Sequence, residues 1–206
     1  MKPKRELKVV LTFLDPLLGS QSANPDIHKE FIASKSPDAE KVAEELAALP
    51  AEEQEAKALQ VFPRSADGRP FLWDYQIKGF FKDAAGMLNR TADKEENGDN
   101  PKLAAHKKIV DGLIFVVPRQ IMLEFPEEQG LSQCTRPLRA QTKRGERVAL
   151  QTSEQAPAGT RISFTIQLLK DDLEDRVVDW LEYGEFRGMG QWRNSGHGRF
   201  TFEVVV

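Results

Sequence analysis

Cysteine and histidine are scarce in this sequence of 206 residues. The single cysteine, Cys134, excludes an internal disulfide and a zinc cluster built on cysteines. Only His28, His106 and His197 are present, which argues against a histidine-rich metal site. We therefore expect no metal and no cofactor, and the single thiol fits a reducing cytoplasm.

Long apolar runs are missing as well. The sequence contains no run of about 18 apolar residues, so it predicts no transmembrane helix. The basic residues near Met1 are followed by an amphipathic strand pattern rather than an apolar core, so we expect no secretion signal. The sequence predicts a cytoplasmic protein without a membrane partner.

The net charge of −3 argues, taken alone, against a nucleic-acid-binding protein. The charge is unevenly distributed, however. Acidic residues crowd one segment, namely Asp38, Glu40, Glu44, Glu45, Glu52, Glu53 and Glu55. Basic residues crowd another, namely Arg136, Arg139, Lys143, Arg144 and Arg147. The sum therefore conceals an acidic arm and a basic loop.

Three segments have the alternation of apolar and polar residues that is typical of half-buried strands. They are residues 6–14, 160–169 and 199–206. A fourth apolar segment, 112–125, predicts either a strand pair or one long strand broken at Pro118.

Two segments have apolar residues at the spacing of an amphipathic helix. The first helix follows Asp74, which we expect to be its cap, and the second runs from Leu173 to a C-cap at Gly184. The order of elements is strand, helix, strand, strand, helix, strand. It predicts an α+β fold of the ferredoxin-like (RRM-like) βαββαβ type.

Two insertions are expected within a single domain over residues 1–206. Residues 36–60 predict an acidic helical insertion that begins with Ser36 as cap and Pro37 at the first helical position. Residues 130–150 predict a basic hairpin with Arg144 and Gly145 at its tip. The opposite charges of the two insertions raise the hypothesis that neighbouring copies dock head to tail.

The segment GMGQWRNSGHG, residues 188–198, has too many glycines for a regular strand or helix. Such a loop offers backbone amides to an anion, and its arginines and tryptophan offer charge and a stacking surface. We take as candidate nucleic-acid-binding residues Arg187, Gly188, Gly190, Trp192, Arg193, Asn194, Gly196, His197 and Gly198, with Arg199 as a further charge. The alternative is a tight connection between the last helix and the last strand.

Three stretches resemble the RAMP superfamily, whose members include CRISPR RNA-binding backbone subunits and CRISPR RNA-processing endonucleases. They are LDPLLGS after the first strand, GRPFLWDYQIKGFFKDAA before the first helix, and the glycine segment. Residues 73–76 depart from the family pattern, which has proline, glycine and two serines there. The resemblance extends over residues 6–206.

The resemblance implies binding of a single strand of RNA or DNA, often by subunits that lie side by side. It implies that Lys78 contacts the strand at a helix start, with Lys82 on the same helix face, and that the basic hairpin acts as a thumb. Arg136, Arg139, Lys143, Arg144 and Arg147 would then contact phosphates. Trp73 is a candidate for base stacking, although core packing is the commoner fate of such a residue.

Two further hypotheses remain open, and the first is a metal-independent RNA endonuclease that uses His28. Processing endonucleases of this superfamily use a general-base histidine near the position of His28, and some target-cutting backbone subunits carry an aspartate near that of Asp26. The sequence offers no acid partner for His28 and no carboxylate cluster around Asp26, so we expect a non-catalytic protein. Another possibility is an interaction protein that inhibits a CRISPR or other defence complex. The main expectation is a nucleic-acid-binding homo-oligomer or a subunit of a larger ribonucleoprotein, and a stand-alone relative from a phage or mobile element fits its size.

Overall fold

The computed structural model describes residues 2–23, 59–91, 102–142 and 145–205, with the backbone alone for residues 138–149 of that set. The helices are α1 (Asp74–Leu88), α2 (His106–Leu113) and α3 (Glu174–Arg187). The strands are β1 (Arg5–Phe13), β2 (Leu17–Leu18), β3 (Gln21–Ser22), β4 (Leu59–Val61), β5 (Phe71–Trp73), β6 (Ile114–Val117), β7 (Gln120–Met122), β8 (Ser132–Thr142), β9 (Gly145–Ala156), β10 (Arg161–Leu168) and β11 (Phe200–Val205). The α+β class expected from the sequence is confirmed.

The main sheet has four antiparallel strands in the order β11-β1-β10-β6. Its register places Phe13 opposite Phe200, Leu11 opposite both Ile162 and Phe202, and so keeps the apolar residues of neighbouring strands on one face. The alternating segments found in the sequence thus pair with one another, with bounds within one residue of those expected for β1 and β10.

Helices α1 and α3 contribute to the core with the apolar stripes that the sequence predicted. The buried residues of α1 are Ile77, Phe80, Phe81, Ala84 and Ala85, and those of α3 are Val177, Trp180, Leu181 and Gly184. Burial of each large apolar side chain stabilises the fold by about 1.5–3 kcal/mol. The rings of Phe80, Phe81, Trp180 and Phe200 meet at centroid distances between 5.5 and 5.7 Å.

Two helix ends differ from the expectation. Asp74 is the first residue of α1 rather than its cap, and the backbone N–H of Trp73 donates to Gln76 Oε1 over 2.8 Å. Helix α3 continues through Gly184 to Arg187, and Gly188 is its C-cap at φ 70°. Close packing requires a glycine at position 184, because a Cβ there would lie 2.1 Å from the Phe200 ring.

The segment from 112 to 125 forms two strands, β6 and β7, that belong to different sheets. Strand β6 extends the main sheet beside β10, whereas β7 pairs with β5. Helix α2, which was not predicted, precedes β6 and has Val110 as its buried residue.

A second sheet carries the long hairpin of β8 and β9. Its path is β2-β9-β4-β3, with β8 paired to β9 from Ser132–Gln155 to Thr142–Gly145. The buried Glu154 of β9 fixes the base of this hairpin, because its Oε2 accepts the Phe62 N–H over 2.7 Å and an Arg64 N–H over 3.1 Å. Toward the tip, beyond Pro137 and Leu150, no third strand of the described chain pairs with the ribbon.

Candidate nucleic-acid interface

The glycine segment 188–198 is a loop that folds back on itself between α3 and β11. Its two arms meet where Met189 N–H donates to the Gly198 carbonyl over 2.9 Å. A Cβ at Gly198 would lie 2.1 Å from Met189 O, and one at Gly188 would lie 2.7 Å from Gly198 C. Both glycines also have positive φ, at 74° and 70°. At these two positions the backbone is approached closely by the loop's own arms. This agrees with the alternative interpretation of the sequence, a tight connection between the last helix and the last strand.

The other two glycines have different surroundings. A Cβ at Gly190 would lie 2.9 Å from Leu17 Cδ1, so this glycine lets the loop contact the segment after β1. Gly196 has positive φ, 82°, but no atom of the described part of the chain lies within 4 Å of its virtual Cβ. The tip of the loop around Gly196 is consequently open, whereas its two arms are closely packed.

The arginines around the loop hold it against the rest of the fold. Arg193 Nη1 lies 2.5 Å from Asp83 Oδ2 of α1, and Arg199 Nε lies 2.6 Å from Asp15 Oδ2. Arg187 Nη1 donates to the side-chain oxygen of Asn194 over 2.6 Å. Carboxylates partly neutralise the first two cations, so these contacts position the loop as well as carrying charge.

Trp192 stands at the open tip of the loop and is 37% exposed. Its backbone has φ 57°, a conformation that costs a non-glycine residue about 1–2 kcal/mol. The His197 ring lies 4.7 Å away between centroids, and the Arg136 guanidinium lies 5.2 Å from the Trp192 ring centroid. The surrounding structure thus fixes an aromatic ring at a protruding position.

Arg136 is the contact between the base of the hairpin and the glycine loop. Its side chain is buried, and it donates to Gln191 Oε1 over 2.5 Å and to Ser153 Oγ over 3.4 Å. Burial lowers the pKa of Arg136 from its ordinary value, because the charged guanidinium loses hydration. An arginine is suited to this place since it stacks on an aromatic face while it donates in its own plane.

Three buried nitrogen atoms of this region lack a hydrogen-bond partner among the described residues. They are Arg136 Nε, Arg187 Nε and His197 Nδ1. Buried polar atoms are nearly always paired in proteins, so such a group of unsatisfied atoms is typical of a place where water or a polar ligand binds.

A cleft of about 230 Å³ lies between the glycine loop and the first half of α1. Gly79, in the interior of that helix, faces no atom of the described residues within 4 Å of its virtual Cβ. A glycine inside a helix costs about 1 kcal/mol relative to alanine, and no described neighbour requires it at this position. The cleft is lined by Leu17, Leu18, Ser20, Leu72, Gln76, Gly79, Phe80, Asp83, Met189, Gly190, Gln191 and Arg193.

Lys78 and Lys82 contact helix α2 and do not line this cleft. Lys78 Nζ donates to the Asp111 carbonyl over 3.1 Å and lies 5.3 Å from the Phe115 ring centroid. Lys82 Nζ lies 2.6 Å from Asp111 Oδ1. Desolvation, the largest cause, lowers the pKa of Lys78. Both lysines are thus used in joining α1 to α2.

Trp73 is 1% exposed and packs within the protein. Its ring contacts Phe71 edge-on at 4.7 Å and lies beneath the Arg119 guanidinium at 4.8 Å. The ring presents no surface to a base, so core packing prevails at this position and we leave Trp73 out of the proposed interface.

Several predicted residues lie wholly or partly outside the described part of the chain. Asp26, His28, the acidic arm, Lys143 and Arg144 fall outside it. The backbones of Arg139 and Arg147 lie in β8 and β9. Gln191 and Asp83 line the cleft without having been predicted, because their roles depend on contacts between distant segments.

A metal site needs a group of ligands and a membrane span needs a long apolar helix, and the described residues contain neither. No three histidine, cysteine or carboxylate side chains in that part of the chain are grouped to hold a metal ion. None of its helices is long and apolar enough to cross a membrane.

No protein-family model matches this chain, and no curated protein matches it. Among solved structures, it is similar to a chain of "Cryo-EM structure of the Type III-B Cmr-beta bound to cognate target RNA", with a TM-score of 0.52 and 12% identity. That match covers 98% of this chain and 58% of the other, so this chain spans little more than half of its length. A chain of "Type IV-B CRISPR Complex" has a TM-score of 0.48 at 12% identity and matches over 98% and 91% of the two chains. The first likeness supports the RAMP-like fold that the sequence resemblance implied.

Proposed function

We propose that this protein binds a single strand of RNA or DNA without cleaving it, as a subunit of a CRISPR-like ribonucleoprotein. The observation that carries the proposal is Trp192, held at the tip of a strained loop against the buried Arg136 and beside an open cleft. Stacking of a base on an aromatic ring contributes about 1–3 kcal/mol and is tolerant of sequence.

Strand order supports the same proposal at the level of the fold. We infer a ferredoxin-like βαββαβ core, because the chain runs β1-α1-β6 and then β10-α3-β11 and the sheet order is β11-β1-β10-β6. We infer that the second sheet and its hairpin are additions to this core, in a single domain. In this arrangement the glycine loop joins the second core helix to the last core strand.

The proposed path of the strand runs from the hairpin base across Trp192 and into the cleft beside α1. Arg136 and Trp192 lie along the first part of this path, and Gly79 leaves room for a backbone in the second. The basic residues of the hairpin beyond Arg136 would contact phosphates. Cmr-beta is bound to target RNA in the similar structure, and we propose that this chain binds a strand of the same kind.

The experiment is a titration of the protein into a 5′-labelled 12-nucleotide strand of RNA or DNA, followed by fluorescence anisotropy. We expect both single strands to bind at least roughly tenfold more tightly than a duplex of the same length, because only unpaired bases can stack on the loop. A denaturing gel of the same samples is expected to show intact strands. Equal affinity for the duplex, or shortened products, would contradict the proposal.

Reversal of charge in the hairpin is expected to weaken binding. In the variant Arg144→Glu with Arg147→Glu, loss of two phosphate contacts should reduce the salt slope of log K by about 1.4, at about 0.7 per phosphate on a single strand. Affinity should fall roughly tenfold or more at low salt. The check is a titration with the 12-nucleotide strand from 50 to 300 mM salt (roughly the range in which phosphate contacts are screened). Affinity and slope equal to those of the wild type would remove these two residues from the interface.

A larger side chain at position 79 is expected to change strand affinity and the free energy of unfolding in opposite directions. Gly79→Gln is expected to stabilise the fold by up to about 1 kcal/mol, since a helix former replaces glycine in open space. It should nevertheless weaken strand binding by roughly tenfold, because the new side chain occupies the cleft. Gly112→Gln is the matched control, since Gly112 lies in α2, also faces open space and does not line the cleft.

The Gly79 pair is measured by urea unfolding and by anisotropy. The proposal requires that both variants are as stable as the wild type or more so, and that only Gly79→Gln loses affinity. Unchanged binding by Gly79→Gln would exclude the cleft from the path of the strand.

A further inference from the structure

The cleft between the glycine loop and α1 has an ion pair in its wall. Arg193 of the loop and Asp83 of α1 both line the cleft, and Arg193 Nη1 lies 2.5 Å from Asp83 Oδ2. The two side chains are 23% and 35% exposed, so a ligand can reach them. An ion pair in this position offers hydrogen-bond donors and acceptors to a molecule that enters the cleft.

Much of the remaining wall of the cleft is apolar. It is formed by Leu17, Leu18, Leu72, Phe80 and Met189, each of which is 5% exposed or less. The volume of about 230 Å³ is below the roughly 300–1,000 Å³ of a site for a drug-sized molecule. An apolar cleft of this size that also holds polar atoms is suited to one flat ring with apolar faces and a polar edge, such as a nucleobase.

Two other polar side chains of the cleft, Ser20 and Gln76, are already used within the protein. Gln76 Nε2 donates to Ser20 Oγ over 2.8 Å, and Gln76 Oε1 accepts the Trp73 N–H over 2.8 Å. These bonds hold the start of α1 against the segment after β2. A ligand would have to break them in order to use either side chain.

The ion pair itself keeps unused hydrogen-bonding groups. In the described part of the chain, Asp83 Oδ1 and Arg193 Nη2 have no hydrogen-bond partner. A carboxylate oxygen has two acceptor positions, so Asp83 Oδ2 can accept a second bond beside the one from Arg193. From the arginine to the aspartate, the pair therefore presents one donor followed by two acceptors.

A phosphate does not suit this ion pair. The negative charge of Asp83 would repel a phosphate, and the same carboxylate partly neutralises Arg193. A base carries no charge, and its ring can lie against the apolar wall while its edge makes hydrogen bonds. The ion pair is thus better suited to a base of the strand than to a phosphate.

We propose that the cleft binds one guanine base of the strand through the edge that carries O6, N1 and N2. This edge presents one acceptor followed by two donors, which complements the guanidinium N–H, Asp83 Oδ2 and Asp83 Oδ1. Adenine, cytosine and uracil have no edge with that order, so each leaves at least one of these three atoms unpaired or opposed. The proposal rests on the proposed function, because the base belongs to the bound strand.

The test uses 12-nucleotide RNA strands of adenosine that differ at one central nucleotide, with fluorescence anisotropy as the measurement. Guanine at that position should raise affinity over adenine by roughly 5- to 150-fold. Hypoxanthine lacks the 2-amino group and should lose much of this gain, because Asp83 Oδ1 is then left without a donor. A strand with 7-deazaguanine keeps O6, N1 and N2 and should bind like the guanine strand. Equal affinities of the guanine and adenine strands would overturn the proposal, as would equal affinities of the guanine and hypoxanthine strands.

Asp83→Ala should bind the guanine and adenine strands with similar affinity, because both acceptors are gone. Asp15→Ala is the matched control, since Asp15 also pairs with an arginine at the loop, Arg199, but does not line the cleft. The control should keep the ratio of the two affinities. A ratio that persists in Asp83→Ala, or one that is lost equally in Asp15→Ala, would contradict recognition of guanine by the ion pair.

Free nucleotides separate this proposal from the proposed function. Guanosine and adenosine 5′-monophosphates are titrated into protein labelled with ¹³C at its methionine methyl groups, and Met189→Leu identifies the signal of Met189 in the cleft. The guanosine nucleotide should shift that signal at concentrations where the adenosine nucleotide does not. Strand binding without any preference for guanine, and without this shift, would overturn the guanine site and leave the proposed function standing. The shift without strand binding would contradict the proposed function and leave the guanine site standing.

Discussion

Trp192→Ala is expected to weaken binding of a single strand by about 1–3 kcal/mol, which is roughly 5- to 150-fold in Kd. The substitution removes a ring that is 37% exposed and that supports little of the apolar core. Trp192→Phe keeps an aromatic face and should retain most of the affinity. The measurement is fluorescence anisotropy with the 12-nucleotide strand.

Two controls distinguish stacking from a general loss of structure. The salt slope should be the same for Trp192→Ala and the wild type, because the tryptophan neutralises no phosphate. Thermal unfolding should shift little, because alanine keeps the conformational cost of φ 57° and the ring supports little of the apolar core. Unchanged affinity in Trp192→Ala, with the fold intact, would show that the ring takes no part in binding.

Gly198→Ala is expected to destabilise the protein by about 2–5 kcal/mol. The new Cβ would lie 2.1 Å from Met189 O, and the residue would keep a positive φ of 74°. The left-handed conformation alone costs about 1–2 kcal/mol, and an overpacked site adds about 1–3 kcal/mol. The loop cannot yield freely, because Met189 N–H donates to the Gly198 carbonyl at this same point. Urea unfolding measures the loss.

Gly196→Ala is the matched control for this effect. Gly196 has nearly the same φ, 82°, but its virtual Cβ meets no atom within 4 Å. Its loss of stability should be limited to the conformational cost of about 1–2 kcal/mol. If both variants lost the same stability, the close approach of the two arms would not be the reason for glycine at position 198.

The long strands and the two core helices could be predicted from the sequence, because the spacing of their apolar residues indicates which face of each element is buried. Residues 160–169 alternate, and β10 occupies Arg161–Leu168. The short strands could not be predicted in this way. Strand β4 is three residues long and pairs in parallel with β9, about ninety residues later, so nothing in its own pattern indicates a partner.

The end of the last helix shows a limit of local rules. A glycine near the end of an apolar stripe is typical of a C-cap, and on that basis Gly184 was expected to end α3. The helix instead continues for three residues, and Gly184 is small because the Phe200 ring packs on it. Capping and close packing both favour glycine, and only the position of Phe200 separates them.

The residues of the candidate site could be predicted from the sequence better than the partners that they contact. The glycines, Trp192 and Arg136 stand out in the sequence, and the structure brings them together. The ionic partners of Arg193 and Arg199 lie 110 and 184 residues away, so their partial neutralisation could not be foreseen. The same holds for Lys78 and Lys82, whose contacts with Asp111 depend on a helix that the sequence did not reveal.

The glycine-rich segment therefore has two roles in this account. Gly188 and Gly198 let the loop close on itself, which is a structural requirement. The closed loop then holds Trp192 outward against Arg136 and forms one wall of the cleft beside Gly79. The function that we propose depends on the second role, and the stability of the loop depends on the first.

The most direct test of this account is photocrosslinking of a single strand that carries 5-bromouracil, followed by mass spectrometry of the crosslinked peptides. We predict crosslinks within residues 188–198, with Trp192 as the main site, and within the base of the hairpin around Arg136. Trp192→Ala should abolish the first of these and keep the second. Crosslinks confined to the opposite face of the main sheet, for example at the exposed Phe115, would contradict the central claim.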